Sequence, residues 1–359
     1  MEHGGDIYGN QNIELDYSVS LSPLGTPQSV ILQMREEIPL TCYPDLQCRG
    51  LRSALSQRLG LPADQILCGN GASELLMAVV QAVRPKRALV PAPTYQGYER
   101  ALQAAGAEIV THDLRREEGY ILTERILEEA RDVSMLFLCN PNNPVGNCIA
   151  PALLRRIADH CRDNGIVLVV DECYLDLLPD AERRTMRNAL ASNPYLVIIN
   201  AFTKAYAMPG IRLGYLLTAN GDLHEKIRLQ QPEWSVSMFA QRAGIAALGD
   251  RGYLPRAVQE VRTEREFVCE KLRVIGAEVF DGEAPFVMFR TQEELYEPLR
   301  ARGILIRRCA GFRGMAEVRP EPGSSGHFYR IGLRSRAENE KLMETIGQIV
   351  RCGSSTPAL

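Results

Sequence analysis

Lys204 is the first candidate for chemistry in this chain, because it follows the apolar run 196–199 and stands directly behind Thr203. Apolar surroundings strip water from an ammonium and favour its neutral form, so such a lysine can act as an amine nucleophile. Eight residues on, within Pro209-Gly210-Ile211-Arg212-Leu213-Gly214-Tyr215, Arg212 returns a planar fork of donors to the same region. That fork suits a phosphate dianion. Taken alone, the two cations read equally as a surface lysine and a salt-bridged arginine, and the rest of the chain has to decide.

The elements that must position them are legible as seven short runs rich in Val, Ile and Leu, at 66–68, 88–90, 108–112, 135–139, 166–170, 196–199 and 213–217. Several are apolar throughout, as strands covered on both faces require. Helical patterns at 73–83, 95–105, 150–163 and 222–230 separate most of them. The alternation predicts an α/β fold: a three-layer α/β/α large domain around a mainly parallel seven-stranded sheet. A long helical pair, 236–248 and 254–274, leads to a small α/β layer with strands at 278–280, 286–289, 304–307 and 328–333, a helix from 293 and a last helix at 337–350. The expected organisation is an arm over 1–40 joining the small domain, a large domain over 41–245 and a small domain over 246–359, whose last residues, 353–359, read as a disordered tail.

Ligands of open α/β sheets sit outside the carboxyl ends of the strands, so the residues after each run form one set. Gly69-Asn70-Gly71-Ala72-Ser73-Glu74 leads into a helix and aims free N–H groups at an anion. Pro93-Thr94-Tyr95 offers a ring for stacking on a flat heterocycle. Asn140-Pro141-Asn142-Asn143-Pro144-Val145-Gly146 is a rigid loop able to point one amide inward. Asp171, closing a buried strand ahead of Glu172-Cys173-Tyr174, needs a cationic or donor partner. An amine, a buried carboxylate, a phosphate cradle, a stacking ring and an inward amide are what pyridoxal 5'-phosphate requires: a lysine for its aldehyde and a carboxylate for its pyridinium nitrogen. A nicotinamide cofactor fits poorly, since no G-x-G-x-x-G follows the first strand.

Composition sets the partners. A net charge of −3 leaves no field to gather nucleic acid or a membrane surface, so the partner is expected to be a small molecule. No signal-peptide pattern and no long apolar stretch is present, and the expected location is cytoplasmic. The 10 cysteines show no paired spacing and read as free thiols, several in apolar runs. The histidines show no metal-ligand spacing, so no metal is expected.

The ordered series Tyr43-Pro44-Asp45, Asn143-Pro144, Asp171-Glu172-Cys173-Tyr174, Thr203-Lys204 and Pro209-Gly210-Ile211-Arg212-Leu213-Gly214-Tyr215 resembles the class I/II aminotransferases, pyridoxal-phosphate enzymes of fold type I. The resemblance spans nearly the whole chain and is strongest to the branch of histidinol-phosphate aminotransferase and threonine-phosphate decarboxylase. It implies that Lys204 binds the cofactor aldehyde, Asp171 pairs with the pyridinium, Asn143 and Tyr174 hold the ring hydroxyl and Tyr95 stacks on the ring. It also implies a phosphate held by the backbone of Ala72 and Ser73 with Thr203 and Arg212, a homodimer in which Tyr43 reaches the neighbouring subunit's phosphate, and a substrate carboxylate gripped by Arg330.

Two positions depart from the branch: Ala201 removes a phosphate donor, and Ser20-Leu21-Ser22-Pro23 replaces Asn-x-Asn-Pro, which weighs against carrying over the arm's substrate contacts. The favoured expectation is amino transfer between an amino acid or amino phosphate and a 2-oxo acid, for which Arg330 and Lys204 suffice. The alternatives are a decarboxylase like the threonine-phosphate enzyme, which the segments 3–8 and 233–236 resemble, and a non-catalytic binding protein of the same fold. His3, Arg307, Arg308 and Arg334 are further cations available to an anionic substrate.

Overall fold

The structure is a computed structural model that describes residues 4–10, 12–315 and 326–353. His3 and tail residues 354–359 lie outside the described residues.

Thirteen strands are described: β1 (Leu15–Asp16), β2 (Ile66–Gly69), β3 (Arg87–Ala92), β4 (Glu108–Asp113), β5 (Met135–Cys139), β6 (Val167–Asp171), β7 (Leu196–Ala201), β8 (Gly214–Leu217), β9 (Glu278–Val279), β10 (Phe286–Thr291), β11 (Ile304–Leu305), β12 (Arg307–Arg308) and β13 (His327–Gly332). Seven of them form one sheet in the order β2-β8-β7-β6-β5-β3-β4. Within it only β8 runs against its neighbours β7 and β2; the other pairings are parallel. Every residue of β2, β5, β6, β7 and β8 is buried, as a sheet covered on both faces demands.

The covering helices follow from local patterns. Pro151–Asp163 starts with proline at its first turn and buries Leu153, Leu154, Ile157, Ala158 and Cys161, a single stripe at helical spacing. Ala72–Val83 buries Leu75, Leu76, Ala78, Val79 and Val80 against β2 and β8. The helical pair begins later than expected, at Met238–Gly249, because the Ser237 hydroxyl accepts from the Ala240 N–H and caps the helix there. Its second member is Tyr253–Val274.

Beyond that helix a second sheet, β12-β13-β10-β9, is antiparallel throughout. The expected strand at 304–307 is split, since Ile304 and Leu305 pair in parallel with Leu15 and Asp16 of the arm while Arg307 and Arg308 pair with β13. The helix expected from 293 is confined to Tyr296–Arg300. No helix among the described residues is long and apolar enough to cross a membrane.

Candidate active site

Because β8 is antiparallel, its amino end lies at the same sheet edge as the carboxyl end of β7. Lys204 leaves β7 in a four-residue helix, Phe202–Ala205, and Arg212 enters β8. Both line a cavity of about 240 Å³ with Ala72, Ser73, Tyr95, Asn143, Asp171, Tyr174, Thr203 and Arg330. Ten of the expected site residues therefore converge. Tyr43 does not: it is 77% exposed and its ring lies 4.6 Å from that of Trp234.

Two glycines shape one end. The helix Ala72–Val83 starts at Gly71, which makes no side-chain cap and leaves the first N–H groups for another acceptor. Gly71 has φ +80°, and a Cβ there would lie 2.5 Å from Arg212 Nη2, so only glycine lets the guanidinium sit against the helix start. A Cβ on Gly214 would lie 2.7 Å from the Ala72 nitrogen, which makes glycine the condition for β8 to pass this close. Glu74, in the first helical turn, is turned aside and accepts from the Asn70 N–H at 2.7 Å and Gln231 Nε2 at 2.9 Å. The result is an N–H cluster, a guanidinium and the hydroxyls of Ser73 and Thr203, a donor set for a phosphate.

The donor expected for Asp171 is Tyr98, whose hydroxyl donates to Oδ2 at 2.8 Å while the Cys173 N–H donates to Oδ1 at 3.0 Å. The carboxylate is 6% exposed, so these bonds offset much of its desolvation and leave lone pairs toward the cavity. In the asparagine loop Asn140 accepts from the Ile149 N–H, and Asn142 bonds Thr94 and the Pro93 carbonyl, which leaves Asn143 to face inward. Its Oδ1 accepts from Arg330 Nη1 at 2.5 Å, and Arg330 Nη2 donates to the Ser18 carbonyl at 2.7 Å. Arg330 Nε is buried with no partner among the described residues.

Burial holds the Lys204 amine down at about 8, with Arg330 and then Arg212 as further repulsive cations. The amine therefore keeps a neutral fraction near physiological pH far above that of an ordinary lysine, while its ammonium form still predominates there. Burial also pushes the Tyr174 hydroxyl up to about 12, against the pull of Arg330, so it stays a proton donor.

The arm departs from expectation. Ser20 is fully buried, while the Ser22 N–H donates to the Lys204 carbonyl at 2.9 Å and its hydroxyl accepts from Tyr253 at 2.8 Å. Ser22 supports the Lys204 segment from behind, and the arm reaches the cavity through Gly4, Ser18 and Val19 instead. Arg307 also lines the cavity, whereas Arg308 pairs with Glu294 and Glu297 and Arg334 with Glu338. Gln96, Phe312, Cys139 and Cys173 line it unannounced by the sequence; only Tyr98, three residues after Tyr95 on a helical pattern, carried a signal that spacing could have caught.

The residues present fit pyridoxal phosphate: the cradle at Gly71 can take its phosphate, Lys204 its aldehyde and Asp171 its ring nitrogen. Fold and cavity together define a pyridoxal-phosphate-dependent α/β enzyme. The chain belongs to the aminotransferase class I and II family, whose model matches residues 16–346. It is 34% identical to a threonine-phosphate decarboxylase of Salmonella typhimurium, over 97% of this chain and 96% of that protein. It is 33% identical to a histidinol-phosphate aminotransferase of Methanosarcina mazei, over 90% of this chain and 84% of that one. The crystal structure of the histidinol-phosphate aminotransferase from Clostridium acetobutylicum superposes with a TM-score of 0.85 at 30% identity, covering 94% of this chain and 99% of that one.

Proposed function

We propose that the protein decarboxylates a phosphorylated amino acid of the O-phosphothreonine type. The observation that carries this is a pair of cations: Arg307 on β12 and Arg330 on β13 stand directly opposite in register, both line the cavity and both are about 95% buried. Two guanidiniums on one face of a sheet repel each other, and a phosphate dianion between them relieves the repulsion better than a singly charged carboxylate. Neither Ser20 nor Ser22 lines the cavity, so the altered arm does not weigh against a phosphorylated substrate.

When bound, pyridoxal phosphate supplies an electron sink for whichever bond at the substrate's α-carbon stands perpendicular to its ring. The chain's residues decide which bond that is. Arg330, steadied by Asn143 and the Ser18 carbonyl, joins Arg307 in taking the substrate phosphate, and among the described residues lining the cavity no further arginine is left to hold the carboxylate in the ring plane once Arg212 takes the cofactor phosphate. Lys204, whose ammonium form predominates below its value of about 8, is the group that returns a proton to the α-carbon. Asp171, held by Tyr98, keeps the ring nitrogen protonated, and the phosphate end is anchored by Ala72, Ser73, Thr203 and Arg212, with Tyr95 against the ring and Tyr174 and Asn143 at its hydroxyl. Tyr43, exposed and away from the cavity of its own chain, completes the phosphate site of a second copy in a homodimer.

The test incubates the holoenzyme with a panel of amino acids and phosphorylated amino compounds and scores CO₂ release against pyridoxamine phosphate formation. CO₂ from O-phosphothreonine without pyridoxamine phosphate from any donor is expected. Pyridoxamine phosphate from an amino donor, with no CO₂ from any phosphorylated amino acid, would assign amino transfer instead, the reading in keeping with the histidinol-phosphate aminotransferase relatives.

A further inference from the structure

Gln96 lines the active cavity and stands at the start of the helix Gly97–Ala104. Its side chain makes no cap for that helix and reaches instead to Arg307 and Gly311, 211 and 215 residues farther along the chain. Nε2 donates to the Gly311 carbonyl, and Oε1 accepts from Arg307 Nη2 at 3.5 Å. Only this orientation of the amide sets a donor on the carbonyl and an acceptor on the guanidinium. One helical turn on, the Glu99 carboxylate accepts from Arg313 Nε at 2.7 Å and Nη2 at 2.9 Å. Gly311 and Arg313 flank Phe312, whose ring centroid lies 5.3 Å from the Arg307 guanidinium carbon. The turn is thus tied twice to one helix start, and Arg307 is held between the Phe312 ring and the Gln96 amide.

We propose, on the reading that Arg307 and Arg330 take the substrate's phosphate, that Gln96 is a positioning residue for that phosphate: it holds the Arg307 guanidinium at the cavity without neutralising it. Gln96 is the covalent neighbour of Tyr95, the residue against the cofactor ring, so it fixes where a cation carried by the second sheet stands relative to a cofactor held by the first. An amide suits the task, because an uncharged acceptor steers a guanidinium and leaves its full charge for a dianion. A carboxylate in the same place would pair with Arg307 and cancel that charge. A carboxyl that takes up a proton regains the amide's pattern, with a carbonyl acceptor toward Arg307 and a donor toward the Gly311 carbonyl.

The test titrates propyl phosphate into the holoenzyme by calorimetry at pH 8 and at pH 5. That probe carries neither an amine nor a carboxylate, so its binding is independent of which bond of a substrate breaks. Gln96→Met, which keeps the length of the side chain and removes both polar atoms, is expected to weaken binding roughly tenfold at both pH values. Gln96→Glu is expected to weaken it roughly a hundredfold at pH 8, as a like charge a few ångströms from the phosphate would. At pH 5 that penalty, taken against the unmodified protein at the same pH, should shrink several-fold, because the bound phosphate favours the protonated carboxyl. The imine absorbance near ~420 nm should persist in both variants, and its loss would make Gln96 a cofactor-site residue and overturn the proposal. Equal affinity of Gln96→Met and the unmodified protein, or a Gln96→Glu penalty that does not change with pH, would overturn the proposal and leave the phosphate reading standing. Propyl phosphate that fails to bind the unmodified holoenzyme would remove that reading and the proposal with it.

Discussion

Replacing Glu172 with Gln should make the protein more stable in mild alkali and almost leave it unchanged in mild acid. Glu172 follows Asp171, is 2% exposed, and accepts from the Met186 N–H at 2.8 Å and the Thr185 hydroxyl at 2.7 Å. Burial pushes its carboxyl from the ordinary 4.5 up to about 7, despite the pull of those two donors and of Arg187. A folded-state value above the unfolded one means that the native state binds the proton more tightly, so this group's contribution is full below pH 4.5, declines between 4.5 and 7, and is gone above 7. At roughly 1.4 kcal/mol per tenfold, burying the charge at pH 8.5 costs about 3 kcal/mol. Glutamine keeps both hydrogen bonds, since its carbonyl accepts from Met186 and its amide can donate to Thr185, and it carries no charge to bury. Calorimetric melting of both holoenzymes at pH 5 and pH 8.5 gives a double difference in which other titrating groups cancel. For a chain of this length about 3 kcal/mol corresponds to a rise on the order of 4 °C in the pH 8.5 comparison. Equal melting temperatures for the two proteins at pH 8.5, or a variant destabilised equally at both pH values, would refute the reasoning.

The site predictions are read most directly on apoenzyme and cofactor. The rate at which apoenzyme takes up pyridoxal phosphate, followed at the imine absorbance near ~420 nm, should climb through pH 8 as Lys204 loses its proton, and Lys204→Ala should lose that absorbance and turnover together; a flat pH profile would count against the amine's depressed value. Gly71→Ala places a methyl where Arg212 Nη2 now lies, and the displaced guanidinium should weaken cofactor binding about tenfold or more by direct titration; unchanged affinity would show that the cradle does not depend on this contact. Sedimentation of the holoenzyme at micromolar concentration should show a homodimer, and a fully active monomer would remove Tyr43 from the phosphate site.

What the sequence determined by itself is the ring of residues at the strand ends. A strand covered on both faces must be apolar until it leaves the sheet, so the first polar residue after it marks the edge where a ligand binds; Asp171 and the Thr203-Lys204 pair announce themselves that way, as do the turns at 69–74 and 140–146. The helices were legible for the same reason, since their buried stripes are set by residues three and four apart. What only the tertiary structure decided depends on partners far along the chain. Arg307 faces the cavity and Arg308 the opposite side because a strand alternates its faces, and the register with β13 chooses which of the two looks inward. Asn143 is the inward amide because Asn140 and Asn142 are already bound to the chain around them. Ser22 braces the Lys204 segment instead of reaching a substrate, an outcome fixed by how the arm packs beside Tyr253, 231 residues beyond Ser22. Local pattern can say that a polar residue must find a partner, and only the packed molecule says which one it finds.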